Sequence, residues 1–525
     1  MRRLVHTLCV PSSKESEEDL VTSSWLADVL HLLPNLQSLI VRELPFLDHQ
    51  SLRTLSTRAK QTSLNGQVKS FNIRLTDASR CQNVTSQSLT EAMPLFANIL
   101  YLDLSFIPSV REGRVLDALG ILHGLQILKL RGVGLRDDDV ARLVQAVKLR
   151  LRSLDVRDNR ISDQGAKALL RACLPPGDPE HDRSAQPRSA NFYRNEDFES
   201  YILHAFTTNF ADRLWIEDAT AHGITHLYIS GNSLTTSCVN EIVKASRLHV
   251  LDVGNLAKEY PAEPMYRSKF VSRPPDLEQL PSILLEHAAP TLTLLRIDQA
   301  LVSAIVNSDL RSKFVLPNMR TLILTGVPAS ATTPGTANAI VEFIRLCAAE
   351  SHKARTQALN DYALPPGQRG NNAALKHATE RRFALQRIVL EIASERSPSA
   401  RNQNVQDGRT TLSMTEDRDS EAFWEASGTD FSFFEDCENA RSHLSGKTSS
   451  VAPSEVPTAP LCDTAAIVAA FRKERKLAFE NRQAVSSGDN LLMTEGFWDG
   501  VVQVVRNAQS HSDEMNGYLG SRFRG

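Results

Sequence analysis

The chain has 525 residues, of which 42% are hydrophobic, and its 59 basic and 61 acidic side chains leave a net charge of −2. That balance excludes a global polyelectrolyte partner, so nucleic acid is not expected. The seven cysteines (Cys9, Cys81, Cys173, Cys238, Cys347, Cys437 and Cys462) are scattered and form no C-x-x-C pair. Neither a disulfide framework nor a structural zinc is expected, and a reducing compartment, cytoplasm or nucleus, fits best.

No stretch reaches the roughly 18 apolar residues of a membrane span, and the opening MRRLVHTLCVP is too short in its apolar run for a secretory signal. Val5, Leu8 and Val10 have the spacing of a strand whose alternate residues point to one side. A helix follows over 23–33, then a strand and turn at Leu36, Leu39, Val41 and Leu44. The next strand is expected at Val68, Phe71 and Ile73. A helix over 89–96 leads to Ile99, Leu102, Leu104 and Ile107.

The same phrase returns 26 residues later at Leu125, Leu128, Leu130, Val133 and Leu135, and 26 later again at Leu151, Leu154, Val156, Asn159 and Ile161. This is L-x-x-L-x-L-x-x-N-x-L, complete in the last unit. Leu154 and Val156 face one side of a strand while Ser153, Asp155 and Arg157 face the other. Ser162–Asp163 reads as a helix start, with Ala166, Leu169 and Leu170 as its apolar stripe. One unit holds five or six apolar anchors, each contributing ~1.5–3 kcal/mol when buried. Ordering costs ~1.5 kcal/mol per residue, so a unit is stable only when stacked on neighbours. The reading is an α/β right-handed solenoid, parallel strands on its concave face and helices on its convex face.

The rhythm breaks after Cys173 with PPGDPEHDRSAQPRSAN; Phe198, Ile202, Phe206 and Phe210 then recur every four residues as an amphipathic helix, expected to pack on the solenoid. The phrase resumes at Ile224, Leu227, Ile229, Asn232 and Leu234, and again at Leu248, Leu251 and Val253. Further strands are expected at Leu292–Ile297, Met319–Leu324 and, as the last, Leu385–Leu390, with helices over 277–288 and 337–349. Residues 351–380 read as polar and mobile. The expected layout is a solenoid over 1–394 with insertions near 174–222, 257–276 and 328–384. A disordered acidic and Ser/Pro-rich linker over 395–462, a C-terminal helix and short strand over 463–510 and a tail over 511–525 complete it.

No phrase for phosphate binding, dinucleotide binding, a metalloprotease or a nucleophile elbow occurs, so no catalytic residue, cofactor or metal is expected. Gly132 and Gly134 read as turn glycines. His226 and Asp252 could sit outward on adjacent strands, but such positions serve binding more often than catalysis. Alternation sends Arg42, Arg74, Tyr101, Asp103, Lys129, Arg131, Asp155, Arg157, His226, Tyr228, Asp252, Arg296 and Asp298 to the concave face. Stacking makes them a strip, basic in its middle, for a protein partner; arginine and tyrosine are common interface anchors. Between Asp407 and Glu438, ten acids interleave with Phe423, Trp424, Phe431, Phe433 and Phe434. That segment either covers the basic strip or recruits a partner. FRKERK reads as a solvated helix face.

The repeats, and NRISDQGAKALL above all, resemble the ribonuclease-inhibitor-like class of leucine-rich repeats. RRLVHTLCVP, LPNLQSLIV, ITHLYISGN, RLHVLDVGN, FRKERKLAF and GFWDGVVQVVR together look like fungal leucine-rich-repeat proteins, some of which resemble F-box adaptors. That resemblance implies a non-enzymatic interaction scaffold. Its alternatives are a substrate adaptor with ubiquitin-ligase subunits as partners, or a regulator of a small GTPase. The adaptor pattern departs at the start, where the first strand leaves no room for a box of about forty residues.

Overall fold

A strand forms wherever two apolar residues two apart can face one side, and each such strand lacks hydrogen-bond partners until another lies beside it. Among the described residues of the computed structural model, twelve strands meet that need in one parallel sheet. They are β1 (Thr7–Cys9), β2 (Ser38–Ile40), β3 (Leu75–Asp77), β4 (Tyr101–Asp103), β5 (Ile127–Lys129), β6 (Ser153–Asp155) and β7 (His226–Tyr228). The sheet continues through β8 (Val250–Gly254), β9 (Leu294–Asp298), β10 (Thr321–Pro328), β12 (Arg387–Ala393) and β14 (Val501–Arg506). Two short strands, β11 (Ser330–Ala331) and β13 (Cys462–Asp463), pair antiparallel at the side. The structure describes residues 4–11, 22–61, 70–174, 198–208, 210–217, 223–245, 247–256, 275–309, 316–331, 334–361, 376, 378–393, 462–485 and 498–506.

The register places Leu39, Thr76, Leu102, Leu128, Leu154, Leu227, Leu251, Leu295, Leu322, Ile388 and Val502 in one row. Neighbours in that row are about 4.8 Å apart, so each side chain packs on the next. Helices α1 (Trp25–Leu32), α2 (His49–Gln61), α3 (Ser86–Ala92), α4 (Gly113–Ala118), α5 (Asp137–Val147) and α6 (Asp163–Cys173) close the core on the other side. After α7 (Phe198–Thr208), discussed below, come α8 (Thr236–Ala245), α9 (Pro275–Ile283), α10 (Ala300–Asn307), α11 (Gly335–Asp361) and α12 (Thr464–Val485).

Coils are tied to one another by side chains that recur with the repeat. Asn159 accepts the backbone N–H groups of Gly134 and Leu135 from the coil before. One coil on, Asn232 does the same for Ile161. At the helix starts, Asp137 takes the Ser162 and Gly165 N–H groups and the Ser162 hydroxyl, and Asp163 takes the Thr235 N–H and hydroxyl. Each first-turn aspartate thus satisfies orphan donors of the next helix, besides lying well for its own helix dipole. The turn after each strand needs a left-handed residue. Gly132 and Gly231 supply it with φ of 62° and 72°, and a Cβ there would strike the Phe106 ring or Asp158.

Several expectations change. The third strand lies five residues beyond Phe71: Thr76, not Phe71, pairs with Leu39. A threonine at the inward position hides the repeat from a pattern of apolar residues. The Thr76 hydroxyl has no hydrogen-bond partner. Replacing Thr76 by valine, which keeps the shape and removes that polar atom, is expected to stabilise the chain by about 1 kcal/mol in urea denaturation. An unchanged or lower midpoint would show that the hydroxyl is solvated.

The helix expected over 337–349 is α11, which runs on to Asp361 into a stretch expected to be mobile and buries Ala337, Ile340, Phe343, Ile344 and Cys347 in the core. It is a convex helix of the stack. The strand at 387–393 is not the last. β14 pairs with it residue by residue, from Arg387 beside Val501 to Ile392 beside Arg506. α12 opens with Asp463 accepting the Ala465 and Ala466 N–H groups. The segment over 395–461 and the tail over 511–525 lie outside the described residues. No described helix is long and apolar enough to cross a membrane.

Candidate interaction face

The outward side chains of the strands form three rows, because alternate residues of neighbouring strands stand side by side. The first row contains Ser38, Leu75, Tyr101, Ile127, Ser153 and His226. Leu75, Tyr101 and Ile127 are large and apolar, an unusual set for a solvated face. They are covered. Helix α7 lies across them with Phe198, Ile202 and Phe206 wholly buried, and these six form a cluster with Leu100 and Ile216 separate from the main core.

The strap runs against the order of the coils. At its start the Phe198 ring lies 5.2 Å from that of His226 on β7. Beside it, Glu199 pairs with Lys129 at 2.8 Å and accepts the Ser153 hydroxyl. At its end the Phe206 carbonyl accepts the hydroxyls of Ser38 at 2.7 Å and Thr7 at 3.1 Å. The chain then turns back. Gln37 makes two bonds with the Ala211 backbone, Arg74 donates to the Ala211 and Asp212 carbonyls, and Gln126 donates to that of Ile216 at 2.5 Å. Arg74 also lies over the Phe206 ring and pairs with Glu217.

The expected basic middle of the strip is therefore largely occupied from within. Arg74, which precedes β3, Tyr101, Lys129 and His226 lie beneath or beside the strap, with Tyr101 1% and His226 0% exposed. Burial works against the Lys129 ammonium, but Glu199, then Tyr101, Asp103 and Asp155, outweigh it and hold the amine charged, its pKa well above the usual. Burial also opposes the Glu199 carboxylate, and Lys129 with the Ser153 hydroxyl overcomes that to keep its pKa low.

Farther along the strands lies a chain of ion pairs. Arg157 is bidentate on Asp155 and lies 5.4 Å over the Tyr228 ring. Its other nitrogen is 3.9 Å from Asp252. Arg296 joins Asp252 at 2.8 Å to Glu391 at 2.6 Å. Burial works against the Asp155 carboxylate, but Arg157 and Lys129 together outweigh it and hold its pKa below the usual value. Asp252 stands opposite Tyr228 in the register, two pairs beyond His226, so the strands set no His226–Asp252 pair facing one another. Asp298 accepts the Ala300 N–H and caps α10.

At the strand exits a third set remains open. Arg42 bonds Asp77 at 2.5 Å. Arg80 pairs with Glu43 and, like Arg131, lies over the Phe106 ring, while Arg131 bonds Asp158 at 2.5 Å. The side chains of Arg42, Glu43, Arg80 and Asp158 are 41–47% exposed. Of the rim, only Arg42 and Arg131 were legible as outward strand neighbours; Glu43, Arg80, Phe106 and Asp158 follow the strands in the turns. The strap anchors Gln37, Gln126 and Glu199 and the terminal Glu391 also escaped the reading, while Ser153 was read as outward without a role. The apolar outward residues Leu75 and Ile127 were the available signal for a cover.

Asp103 faces Asp77 across two strands. Burial, then Asp77, push its carboxyl up to about 7, against Lys129 and the Ser105 bonds. The folded state therefore holds this proton more tightly than the unfolded chain, and stability from it is present below about pH 4 and lost as pH rises through about 7. Asp103→Asn, which can still accept the Ser105 N–H, is expected to exceed the parent by about 1–2 kcal/mol at pH 8 after allowing for solvent screening, with the gap closing by pH 4. Urea denaturation at both pH values checks this; a gap independent of pH would contradict it.

Among the described residues no group of three histidine, cysteine or acidic side chains could hold a metal ion. No protein-family model and no curated protein matches the sequence. The chain is similar to several solved structures. The leucine-rich repeat-containing protein LegL7 of Legionella pneumophila matches at 15% identity over 64% of this chain and 90% of that one, with TM-score 0.32. An internalin, InlF, of Listeria monocytogenes matches at 14% identity over 61% and 81%, with TM-score 0.25. A chain from the yeast Rad7 and Elc1 complex matches at 11% over 72% and 88%, with TM-score 0.20. Overlays this loose carry no functional argument. The repeated phrase and the parallel sheet of twelve described strands make the fold an α/β leucine-rich-repeat solenoid.

Proposed function

We propose that the chain is a non-enzymatic protein-interaction scaffold whose partner contacts the rim at the strand exits and the ion-pair chain beside it. The observation that carries this reading is the run Glu43, Arg80, Phe106, Arg131 and Asp158 on successive coils, in which the Glu43, Arg80 and Asp158 side chains are exposed and Phe106 and Arg131 partly buried between them. Arginines held over an aromatic ring and oriented by carboxylates are preorganised for a partner's acids and carbonyls, so little side-chain entropy is lost on binding. Arg42 lies on the same edge, and Arg157, Asp155, Asp252 and Arg296 extend the polar surface along the sheet. Tyr101, Lys129 and His226 are assigned to holding the strap.

The test is affinity purification of the tagged full-length protein from its native cell, beside Arg42→Glu/Arg80→Glu/Arg131→Glu. Clients are expected to fall at least tenfold in the variant while its melting temperature stays within a few degrees. An unchanged set of captured proteins would leave the rim as ordinary solvated surface. The resemblance to F-box adaptors makes ubiquitin-ligase subunits the first partners to look for, in the cytoplasm or nucleus.

A further inference from the structure

The strap is anchored in an asymmetric way. On the solenoid side the anchors are side chains: Thr7, Gln37, Ser38, Arg74 and Gln126. On the strap side most of what they hold is backbone, the carbonyls of Phe206, Ala211, Asp212 and Ile216. Any peptide offers those groups. The strap's own side chains are read mainly through Phe198, Ile202 and Phe206 against Leu75, Leu100, Tyr101 and Ile127, and through Glu199 against Lys129 and Ser153.

A second feature concerns separability. The strap cluster sits on the outward side of the sheet, and the main core lies on the other. Removing α7 uncovers outward residues only. The inward row of leucines and its helices keep their contacts. Segments that share few contacts with the main core open at lower free energy than the whole.

We propose that this surface is a helix-binding groove and that α7 is its replaceable occupant. It accepts in trans an amphipathic partner helix with bulky apolar residues at positions i, i+4 and i+8 and an acid next to the first. The apolar side chains fill the trough over Leu75, Tyr101 and Ile127, and the acid meets Lys129. A helix laid into a groove on three such anchors is a recurrent mode of recognition. The partner helix and α7 compete for one site, so the groove is offered only when the strap is displaced. This goes beyond the rim reading, and its failure would leave that reading intact.

The experiment uses the full chain and a fluorescein-labelled synthetic peptide of residues 197–217. The wild type is compared with Ile202→Asp, which unseats α7 by placing a carboxylate in the trough. The peptide is expected to bind Ile202→Asp at least tenfold more tightly than wild type, and a peptide carrying Glu199→Lys is expected to lose at least tenfold. In wild-type protein, hydrogen exchange should show the α7 amides exchanging at least a hundredfold faster than those of β4–β6. The proposal is overturned by a peptide that does not bind the folded Ile202→Asp chain. An Ile202→Asp chain that cannot fold overturns it too, as do α7 amides that exchange only with the whole sheet. Each of these makes the strap a fixed part of the fold.

Discussion

Asn159→Ala is expected to destabilise the chain by about 3–5 kcal/mol, a large loss for one side chain of modest size. The amide of Asn159 makes five hydrogen bonds to backbone. Its Oδ1 accepts the N–H groups of Gly134 at 2.8 Å and Leu135 at 2.9 Å. Its Nδ2 donates to the carbonyls of Leu130 at 2.9 Å, Val156 at 2.9 Å and Arg157 at 3.1 Å. The Val156 carbonyl also accepts the Asn232 amide and the Arg157 carbonyl the Gly132 N–H, so the loss falls on the Gly134 and Leu135 N–H groups and the Leu130 carbonyl, beside a residue 7% exposed. A buried backbone group left unpaired costs about 1–3 kcal/mol, and water can reach only some of these three in so tight a turn. The damage falls on the interface between two central coils, where a stack has no means of continuing past the break. Urea denaturation beside Arg160→Ala, an exposed neighbour expected to change stability by less than about 0.5 kcal/mol, checks this. A loss under about 1 kcal/mol for Asn159→Ala would show that the turns hold without it.

Trp498→Ala is expected to cost a similar amount, about 3–5 kcal/mol, but in a different place. Trp498 is 2% exposed and donates its indole N–H to the Leu385 carbonyl at 3.2 Å. Arg472 of α12 lies 5.5 Å over its ring and donates to the Gly500 carbonyl at 2.7 Å. Arg355 of α11 reaches Asp499 at 2.7 Å. Gly500 has no alternative here, since a Cβ would stand about 2.0 Å from the indole. The tryptophan thus joins α12 and β14 to the coil that ends at β12. In a stack each coil leans on its neighbours alone, so the loss should stay local. Amides of 464–485 and 501–506 are expected to exchange much faster in the variant while those of β4–β6 are unchanged. Equal acceleration in β4–β6 would mean that the whole chain unfolds as one unit and that the last coil is no separate cap.

The two sites differ in how visible they were. Asn159 stands at a marked position of a complete repeat, and its role follows from the turn that must come after Val156. Trp498 lies more than a hundred residues beyond Leu385, with no repeat between them, and only the packing joins them. The same division runs through the interaction face. Arg42, Arg131 and Arg157 are outward by alternation alone. That Arg80 stacks on Phe106, or that Lys129 is spoken for by Glu199, depends on groups brought together by stacking and by the path of the strap.

By itself, the sequence determined the period, the inward rows of leucine, isoleucine and valine, the helix start at Ser162 and the amphipathic character of 198–206. These are consequences of contacts within a dozen or so residues, which periodicity records directly. Tertiary structure alone decided that Thr76 takes the inward place in the third coil and that β14 extends the sheet beyond β12. It also decided that α7 lies on the strand face instead of the helix face. Each of those outcomes rests on groups far apart in the chain, whose pairing is chosen by which polar and apolar atoms would otherwise be left exposed or unsatisfied. No local pattern carries that choice.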